Sequence, residues 1–543
     1  MISFKTPPTF SLFPTHFGTL HLVFLGPVLF GLTIFALYYR TYVYPYRNLP
    51  PGPKGHWLFG NMYQIPKSRP WVQMAKWSEQ YGPMYTIWMG PTTPVLIVGN
   101  AAIANELLDK RGAIWSSRPR MIMTSEVSPS LPVATRPLAG LIKTSWTMEL
   151  VSRGLRMTFM PFTERWKQQR KLLHTMTQPR AATTYEPIQD EESRQLVQDM
   201  MKRPSDYWSH CQRYAGSTIM QIAFNKRAVS ITDPAIVDMR RINEQMTKTA
   251  VPGRYMVDSL PILNYLPERF ASWKREASTL YEDTLRLFRS HVDDVYREVK
   301  SGSDVNCFAK TILENKDKYG LTNDEATFLA GAMYGAGSDT TADMISTAIM
   351  TFTKYPEIVA RAQEELDRVV GRDRLPDFAD EKDLVYCSAV VREIMRWRTV
   401  IAGGLAHASI KDDFYEGYHI PAGTTLIPNH WSIHLDPKLY PEPESFKPER
   451  FIQDGKLIGT SQSERGHHSY GFGRRICPGM YIADRSMFIT FTRLLWCFNF
   501  AEDAKHPIDV DAFSEGFSSH PLHFKTGITA RGQWVEDVLK GDH

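Results

Sequence analysis

The residues whose types and spacing could perform chemistry lie in one loop, 470–479, which reads Tyr-Gly-Phe-Gly-Arg-Arg-Ile-Cys-Pro-Gly. An apolar stretch, 480–500, follows the loop and predicts a helix. Cys477 then stands just before a helix N-terminus. Free N–H groups and the positive end of the helix dipole favour a thiolate there, and a thiolate is a metal ligand. The alternative is a buried free cysteine in a turn, with no such role.

The rest of the loop suits a flat ligand that carries anionic groups. Glycines at 471, 473 and 479 let the backbone approach such a ligand and adopt dihedral angles that a side chain forbids. Arg475 supplies a fixed positive charge for an anion. Haem has these features, because it presents a flat face and two propionates.

The loop resembles the haem-binding loop of the cytochrome P450 family of haem-thiolate monooxygenases, which reads F-x-x-G-x-R-x-C-x-G. Gly473, Arg475, Cys477 and Gly479 match it, and Tyr470 replaces the phenylalanine. This replacement keeps the ring, but its hydroxyl needs a hydrogen-bond partner or water. The resemblance implies haem b as cofactor, with Cys477 as the iron ligand and with Arg475, Gly473 and Gly479 in contact with the haem.

A long helix carries the second motif. The sequence Thr-Asn-Asp-Glu at 322–325 is a capping box, and the helix that it begins is predicted to run for about 30 residues, roughly 45 Å. Its middle, Ala-Gly-Ser-Asp-Thr-Thr at 336–341, contains residue types that a helix interior avoids. A kink, a close-fitting ligand or close helix crossing would explain the glycines. The family's A/G-G-x-D/E-T-T/S motif is matched, which implies that Asp339 and Thr340 relay protons for oxygen activation.

Trp166 and Arg170 share a face of the amphipathic helix predicted over 163–174. An indole N–H beside a guanidinium can clamp a carboxylate, although such pairs are more often surface cation–π contacts. The pair matches the family's W-x-x-x-R and so implies contact with a haem propionate.

Glu393 and Arg396 share a face of the helix predicted over 388–397. Such a pair is usually a surface contact that contributes little. Pro-Glu-Arg-Phe at 448–451 and the cysteine loop follow in the family's order. The resemblance therefore implies a buried structural network of Glu393, Arg396 and Arg450.

The stretch 397–407 departs from the family, whose members are richer in proline here. Threonine or alanine stands at 399, 402 and 406. The resemblance implies a contact between His407 and a haem propionate, and these replacements leave that contact open.

Apolar and aromatic residues near the motifs predict a pocket for a hydrophobic substrate. The candidates are Leu329, Met333, Tyr334, Val400, Ile401 and Phe517. The resemblance implies insertion of one oxygen atom into a C–H or C=C bond. It extends to fungal members of secondary metabolism, particularly those like O-methylsterigmatocystin oxidoreductase, but the specificity regions are too divergent to carry a substrate across.

The chain has no G-x-G-x-x-G fingerprint for a nucleotide cofactor. The resemblance therefore implies electrons from NADPH through a separate NADPH-cytochrome P450 reductase, with cytochrome b5 as a second candidate donor. Arg165, Lys167 and Lys171 form a basic face that is usually only solvated but here suggests docking of an acidic donor. Two alternatives stay open: a haem-thiolate isomerase or dehydratase that needs no electrons, and a membrane haem protein without turnover.

Composition excludes several classes of protein. The 543 residues are 43% hydrophobic and 22% charged, which suffices for a large core. Five widely spaced cysteines predict neither a disulfide framework nor a paired zinc site, so we expect a reducing compartment. The net charge of +5, without a basic aromatic stripe, gives no sign of nucleic acid binding.

The first part of the chain predicts a membrane anchor. Residues 20–39 carry no charge and are long enough to cross a bilayer; the alternatives are a buried helix or a signal peptide, but no small-residue cleavage site follows. Positive charge after the span predicts that 1–19 are lumenal and the rest cytosolic. We therefore expect a single-pass protein of the endoplasmic reticulum, with a stiff proline-rich hinge at 40–61 and a catalytic domain at 62–543.

The resemblance covers 50–500 and implies the cytochrome P450 fold, mostly α with small β-sheets, preceded by the transmembrane helix. The sequence itself predicts a strand pair over 84–98 and a hairpin over 415–427 with its turn near 421–423. The stretch 128–150 is longer than the family norm and is either an extra loop over the substrate entrance or sequence absent from a correctly spliced transcript. The stretch 259–267 is either a buried loop or, by resemblance, a lid that dips into the membrane.

Overall fold

A computed structural model describes residues 28–33, 35–37, 39–40, 44–91, 93–119, 148–249, 255, 257, 261–459, 465–516 and 518–541. Helices dominate these residues, and the strands form small sheets. This confirms the predicted mostly α fold class with small β-sheets.

The helices of eight residues or more follow the hydrophobic periodicity of the sequence. They are α1 Pro70–Tyr81, α2 Glu164–Thr177, α3 Glu186–Lys202, α4 Tyr207–Phe224, α5 Pro234–Thr249, α6 Ser272–Lys300, α7 Phe308–Asn315, α8 Asn323–Lys354, α9 Pro356–Val369, α10 Val385–Trp397, α11 Met480–Cys497 and α12 Gln533–Gly541. Shorter helical segments are Ala101–Ala104, Asn105–Lys110, Gly112–Trp115, Met148–Val151, Pro179–Ala182 and His430–His434.

The strands are short and form four small sheets within the described residues. They are β1 Met84–Trp88, β2 Pro94–Val98, β3 His407–Ala408, β4 Asp413–Tyr415, β5 Tyr418–Ile420, β6 Thr425–Pro428, β7 Ile452–Gln453, β8 Lys456–Leu457, β9 Phe498–Glu502 and β10 Thr526–Ala530. A four-stranded sheet has the order β1-β2-β6-β3, and β2 and β6 are parallel. The pairs β4-β5, β7-β8 and β9-β10 are antiparallel.

The prediction of a hairpin over 415–427 with its turn near 421–423 is wrong in the position of the turn and in which strands pair. The hairpin is β4-β5, and its turn lies at Glu416 and Gly417, which both have positive φ. The segment 421–423 instead leads into β6, which pairs with β2 and β3. Local alternation identified the strands, but long-range pairing decided which of them meet.

Helix α8 organises the core. The capping box at Thr322 and Glu325 begins it, as predicted, and its 32 residues cross the protein. Leu329 and Ala330, near its start, belong to one large hydrophobic cluster, whereas Ile345 and Ile349, near its end, belong to another. Because both ends are fixed in buried clusters, the middle can carry residues with poor helix propensity.

The glycines of α8 serve helix crossing. A Cβ at Gly331 would lie 2.0 Å from the Phe288 ring, and one at Gly337 would lie 2.6 Å from Ile219. The helix is continuous through both positions. Close packing against α6 and α4 therefore accounts for Gly331 and Gly337, whereas Gly335 and Ala336 line a cavity, so the ligand explanation stays open for them.

Two predictions concern membrane contact. No helix within the described ranges combines the length and apolar character that a membrane crossing requires. Residues 1–27, 34 and 38, and so much of the predicted anchor, lie outside the described residues, as do 128–147. In the stretch 259–267, Tyr265 and Leu266 are exposed, so the buried-loop interpretation is wrong for them.

Candidate active site

One large cavity, of about 370 Å³, lies where the cysteine loop, the middle of α8 and the start of α2 come together. Its wall contains both Cys477 and the pair Asp339 and Thr340. Apolar side chains form most of the remaining surface, among them Ile219, Met246 and Leu329. The two principal motifs of the sequence therefore face the same space.

The cysteine loop is held by its own backbone. The N–H of Cys477 donates to the carbonyl of Tyr470 at 2.9 Å. Gly473 has a positive φ of 53°, and a Cβ there would lie 2.0 Å from the carbonyl oxygen of Leu108. The hydroxyl of Tyr470 donates to Asp484 at 2.6 Å, so the residue that replaces the family's phenylalanine has its hydrogen bond.

Gly479 plays a different part from Gly473. Its φ of −84° is available to any residue, so the expected need for an unusual dihedral angle is wrong here. A Cβ at Gly479 would meet no atom within 4 Å. The missing side chain therefore leaves space at the cavity wall beside Cys477.

The thiolate of Cys477 is not favoured by the chain alone. Burial raises the pKa of this thiol, and the Gly479 N–H and the Arg170 guanidinium lower it by less. Helix α11 begins three residues later, at Met480, and the effect of a helix dipole falls off within the first turn. This corrects the expectation from the sequence. A metal cation would supply the charge that deprotonates a coordinating thiol.

Three arginines surround the cysteine loop. Arg475 donates to the carbonyls of Ser116 at 2.7 Å and Met160 at 2.6 Å. Arg170 donates to the carbonyl of Ile476, and Arg118 donates to the carbonyls of Thr158 and Ala406. None of these three arginines forms an ion pair with a described residue. Burial lowers the pKa of each, and the neighbouring positive charges lower that of Arg475 further.

This arrangement fits haem. Buried charges are normally paired, so the unpaired guanidinium groups at this wall call for anions in the cavity. Two propionates would supply them, Cys477 would bind the iron, and the space beside Gly479 would admit a flat ring. Trp166 adds an aromatic side chain to the cavity wall. Its ring centre lies 4.1 Å from the Arg475 guanidinium.

His407 lines the same cavity but is held by the main chain. Its Nδ1 lies 2.8 Å from the carbonyl oxygen of Trp115, so Nδ1 carries the proton and donates. Burial and the charge of Arg118 lower the pKa of His407 well below its usual range. A neutral His407 has no second N–H for a propionate, and the contact implied by resemblance stays a prediction.

Asp339 and Thr340 lie where α8 passes the cavity. Burial raises the pKa of Asp339 to about 6, although a hydrogen bond from Asn243 acts against this rise. The Thr340 hydroxyl donates to the carbonyl of Ala336 at 2.8 Å, so its lone pairs remain free to accept. A carboxyl that titrates near neutrality beside a hydroxyl is suited to proton transfer.

The structure also brings Glu393, Arg396 and Arg450 together. Arg396 donates to both oxygens of Glu393 at 2.7 Å, and Arg450 donates to one of them at 3.0 Å. Glu393 and Arg396 are fully buried. The interpretation of Glu393 and Arg396 as a surface pair is therefore excluded.

Most of the candidate pocket residues line the cavity, namely Leu329, Met333, Val400 and Ile401. Tyr334 does not. One residue after Met333 on a helix, it points about 100° away, and its hydroxyl donates to the carbonyl of Ala235 on α5. The prediction for Tyr334 is therefore wrong. Phe517 lies outside the described residues.

Two charged residues of the cavity wall, Arg118 and Arg156, were not predicted from the sequence. Both lie between the strand pair predicted over 84–98 and the helix predicted over 163–174, where the chain is irregular in sequence. The sequence carries no signal that either side chain would be buried. An arginine in an irregular segment is normally exposed.

These features define a haem-thiolate site. The family model for cytochrome P450 matches residues 50–131 and 139–528, and the chain belongs to this family. The match is interrupted at 132–138, within the stretch predicted to be longer than the family norm.

Named relatives are fungal monooxygenases. The chain is 37% identical to cytochrome P450 monooxygenase 113 of Postia placenta over 494 residues, which cover 91% of this chain and 93% of the relative. It is 34% identical to a cytochrome P450 monooxygenase of Armillaria gallica over 530 residues, 95% and 97% of the two chains. Cytochrome P450 monooxygenase virE of Hypocrea virens is 33% identical over 503 residues, 90% and 86% of the two chains.

The predicted class, a haem-thiolate monooxygenase, is therefore confirmed, and the isomerase and carrier alternatives are not favoured. Similarity to O-methylsterigmatocystin oxidoreductase in particular stays a prediction.

The basic face is weaker than its sequence suggests. Arg165 forms an ion pair with Glu325, and Lys167 forms one with Glu164.

Proposed function

We propose that this protein inserts one oxygen atom from dioxygen into a hydrophobic small molecule, by hydroxylation or epoxidation, in fungal secondary metabolism. The observation that carries the proposal is the single cavity lined by Cys477 and by Asp339 and Thr340, with apolar side chains between them. Haem, when bound, supplies the oxygen chemistry.

Residues of the cysteine loop and of α2 would hold the cofactor. Cys477 binds iron through sulfur. Arg475 and Arg170, which carry buried charge without a carboxylate partner among the described residues, hold the propionates together with Trp166. The apolar walls exclude water and so strengthen these charge interactions.

Asp339 and Thr340 control protons. With a pKa of about 6, Asp339 holds and releases a proton near neutral pH, which an ordinary aspartate does not. Thr340 accepts a hydrogen bond on the cavity side and orients the group that receives the proton. Both residues reach the cavity from a helix fixed at its two ends, so their positions are defined.

We further propose that electrons come from NADPH through a separate reductase, with cytochrome b5 as an optional second donor. Lys171, on the exposed side of α2, would contribute to the docking face. Residues 20–39 would anchor the chain in the endoplasmic reticulum membrane, with the catalytic domain in the cytosol. Glycosylation mapping of the full chain in microsomes would test this orientation.

The test of the central proposal uses the full chain purified with its haem. We expect the reduced protein to give, with carbon monoxide, the red-shifted Soret absorption of a thiolate-bound ferrous complex. Cys477→Ser should abolish this band, whereas Cys307→Ser, at a buried cysteine outside the cavity, should keep it. A band that survives Cys477→Ser would contradict the assignment. Product formation without NADPH and reductase would indicate an isomerase or dehydratase.

A further inference from the structure

Arg156 differs from the other cavity arginines. It follows the short helix Met148–Val151 and lines the cavity. Its Nε and one terminal nitrogen are sealed from solvent and make no hydrogen bond. Its guanidinium lies over the ring of Phe288, 5.9 Å from the ring centre.

This guanidinium is charged and has no counter-ion among the residues that the structure describes. Burial lowers the pKa of Arg156 only to about 10, so the group stays protonated at neutral pH. No carboxylate of a described residue lies within ion-pair distance of it. A buried cation without a partner is strongly unfavourable, and a guanidinium matches a carboxylate with two parallel hydrogen bonds. Within the described part of the chain, the cavity side of Arg156 therefore lacks an anion.

The haem propionates explain the unpaired charges of Arg118, Arg170 and Arg475 better than they explain that of Arg156. Arg118 and Arg170 lie close enough to Arg475 to lower its pKa, and these three arginines donate to carbonyls around the cysteine loop. Arg156 instead points toward α6, at Phe288. The three arginines around the cysteine loop would already suffice for the two propionates, so the fourth is left for another anion.

The level at which Arg156 lies beside α8 sets the length of the ligand that it could bind. Phe288 packs on Gly331, because a Cβ there would overlap its ring. Thr340 lies nine residues further along the same helix, which is roughly 13 Å at 1.5 Å per residue. Met333 and Ala336 line the cavity between the two positions. A ligand that reaches both ends needs an anionic head and an apolar body about ten carbon atoms long.

We propose that Arg156 binds the carboxylate of the substrate, so that the substrate is an amphipathic acid whose apolar end meets the oxygen site near Thr340. This inference rests on the proposed monooxygenase function and names its substrate class. Arg156 is a specificity-determining residue in this account, and it takes no part in the oxygen chemistry.

Straight-chain acids of 8 to 16 carbons, each paired with its methyl ester, provide the test. Binding to the haem-loaded full chain is followed by the shift of the Soret band and by calorimetry. We expect the best acid to bind at least about tenfold more tightly than its ester, as a charged hydrogen-bonded pair requires. Arg156→Gln should remove this preference, and Arg156→Lys should keep part of it.

Arg153→Gln is the matched control, because Arg153 is exposed, lies on the Tyr281 ring of α6 and does not line the cavity. It should leave the preference unchanged. The inference is overturned if no acid binds better than its ester, if folded Arg156→Gln retains the preference, or if Arg153→Gln removes it equally. Loss of haem from Arg156→Gln, with no acid preference in the wild type, would assign Arg156 to a propionate. A wild type without the thiolate band would refute the proposed function instead.

Discussion

Replacing Asp339 with asparagine should stabilise the protein at high pH. Burial raises the pKa of this carboxyl from 3.8 to about 6, so the folded chain binds the proton more tightly than the unfolded chain does. The cost of folding with an ionised Asp339 is therefore absent below about pH 3.8, grows as pH rises, and is complete above about pH 6. At 1.36 kcal/mol per pKa unit, the full cost is roughly 3 kcal/mol.

Asp339→Asn removes this cost because the amide carries no charge. We expect the variant to exceed the wild type in free energy of unfolding by about 3 kcal/mol at pH 8 and by about half of that at pH 5. The charge of Asp339 also raises the pKa of Asp343, so its removal acts in the same direction. Urea unfolding of the haem-loaded chain, followed by tryptophan fluorescence at both pH values, measures the difference.

The control is Asp324→Asn, at an exposed carboxylate in the first turn of the same helix. It should show no gain in stability that grows with pH. If Asp339→Asn were no more stable than the wild type at pH 8, or if its gain were the same at pH 5 and pH 8, the raised pKa of Asp339 would be refuted. The same variant should lose turnover, since it cannot donate a carboxyl proton.

Two further predictions concern the other motifs. Thr340→Ala should keep its haem but release several times more hydrogen peroxide per NADPH, measured with added reductase; Thr347→Ala, which removes the same type of helical hydrogen bond away from the cavity, should not. Unchanged coupling in Thr340→Ala would refute its role. Glu393→Gln should cost about 3 to 5 kcal/mol, because it leaves buried guanidinium groups unpaired, and should lower the melting temperature by about 3 to 5 °C. The exposed Glu449→Gln should cost less than about 1 kcal/mol, and equal losses would contradict the argument.

Local chemistry explains what could be predicted from the sequence. The capping box at 322–325 fixes where α8 begins, and the amphipathic pattern over 163–174 predicts α2 to within a few residues. The cysteine loop could be predicted because Gly473 and Cys477 have requirements that few other residues meet. Such signals act within one turn of helix or one loop, so they are readable without knowing the fold.

What could not be predicted depends on contacts between distant segments. The pairing of β6 with β2 joins residues more than 300 positions apart, and no local pattern encodes it. Which way Tyr334 points depends on where α5 packs. The burial of Arg156 depends on α6 and α8, so its unpaired charge becomes visible only once these helices are in place.

The arrangement of the cavity has a physical logic. Asp339 and Arg156 both cost stability, because each keeps a charged group in a poorly solvated site. The fold tolerates them because α8 is fixed by buried clusters on both sides of its middle, and because Glu393 and Arg396 fix the scaffold that precedes the cysteine loop. Residues that stabilise the chain and residues that serve the reaction are therefore different sets. Replacing Asp339 or Arg156 should raise stability while function falls, and replacing Glu393 should lower both.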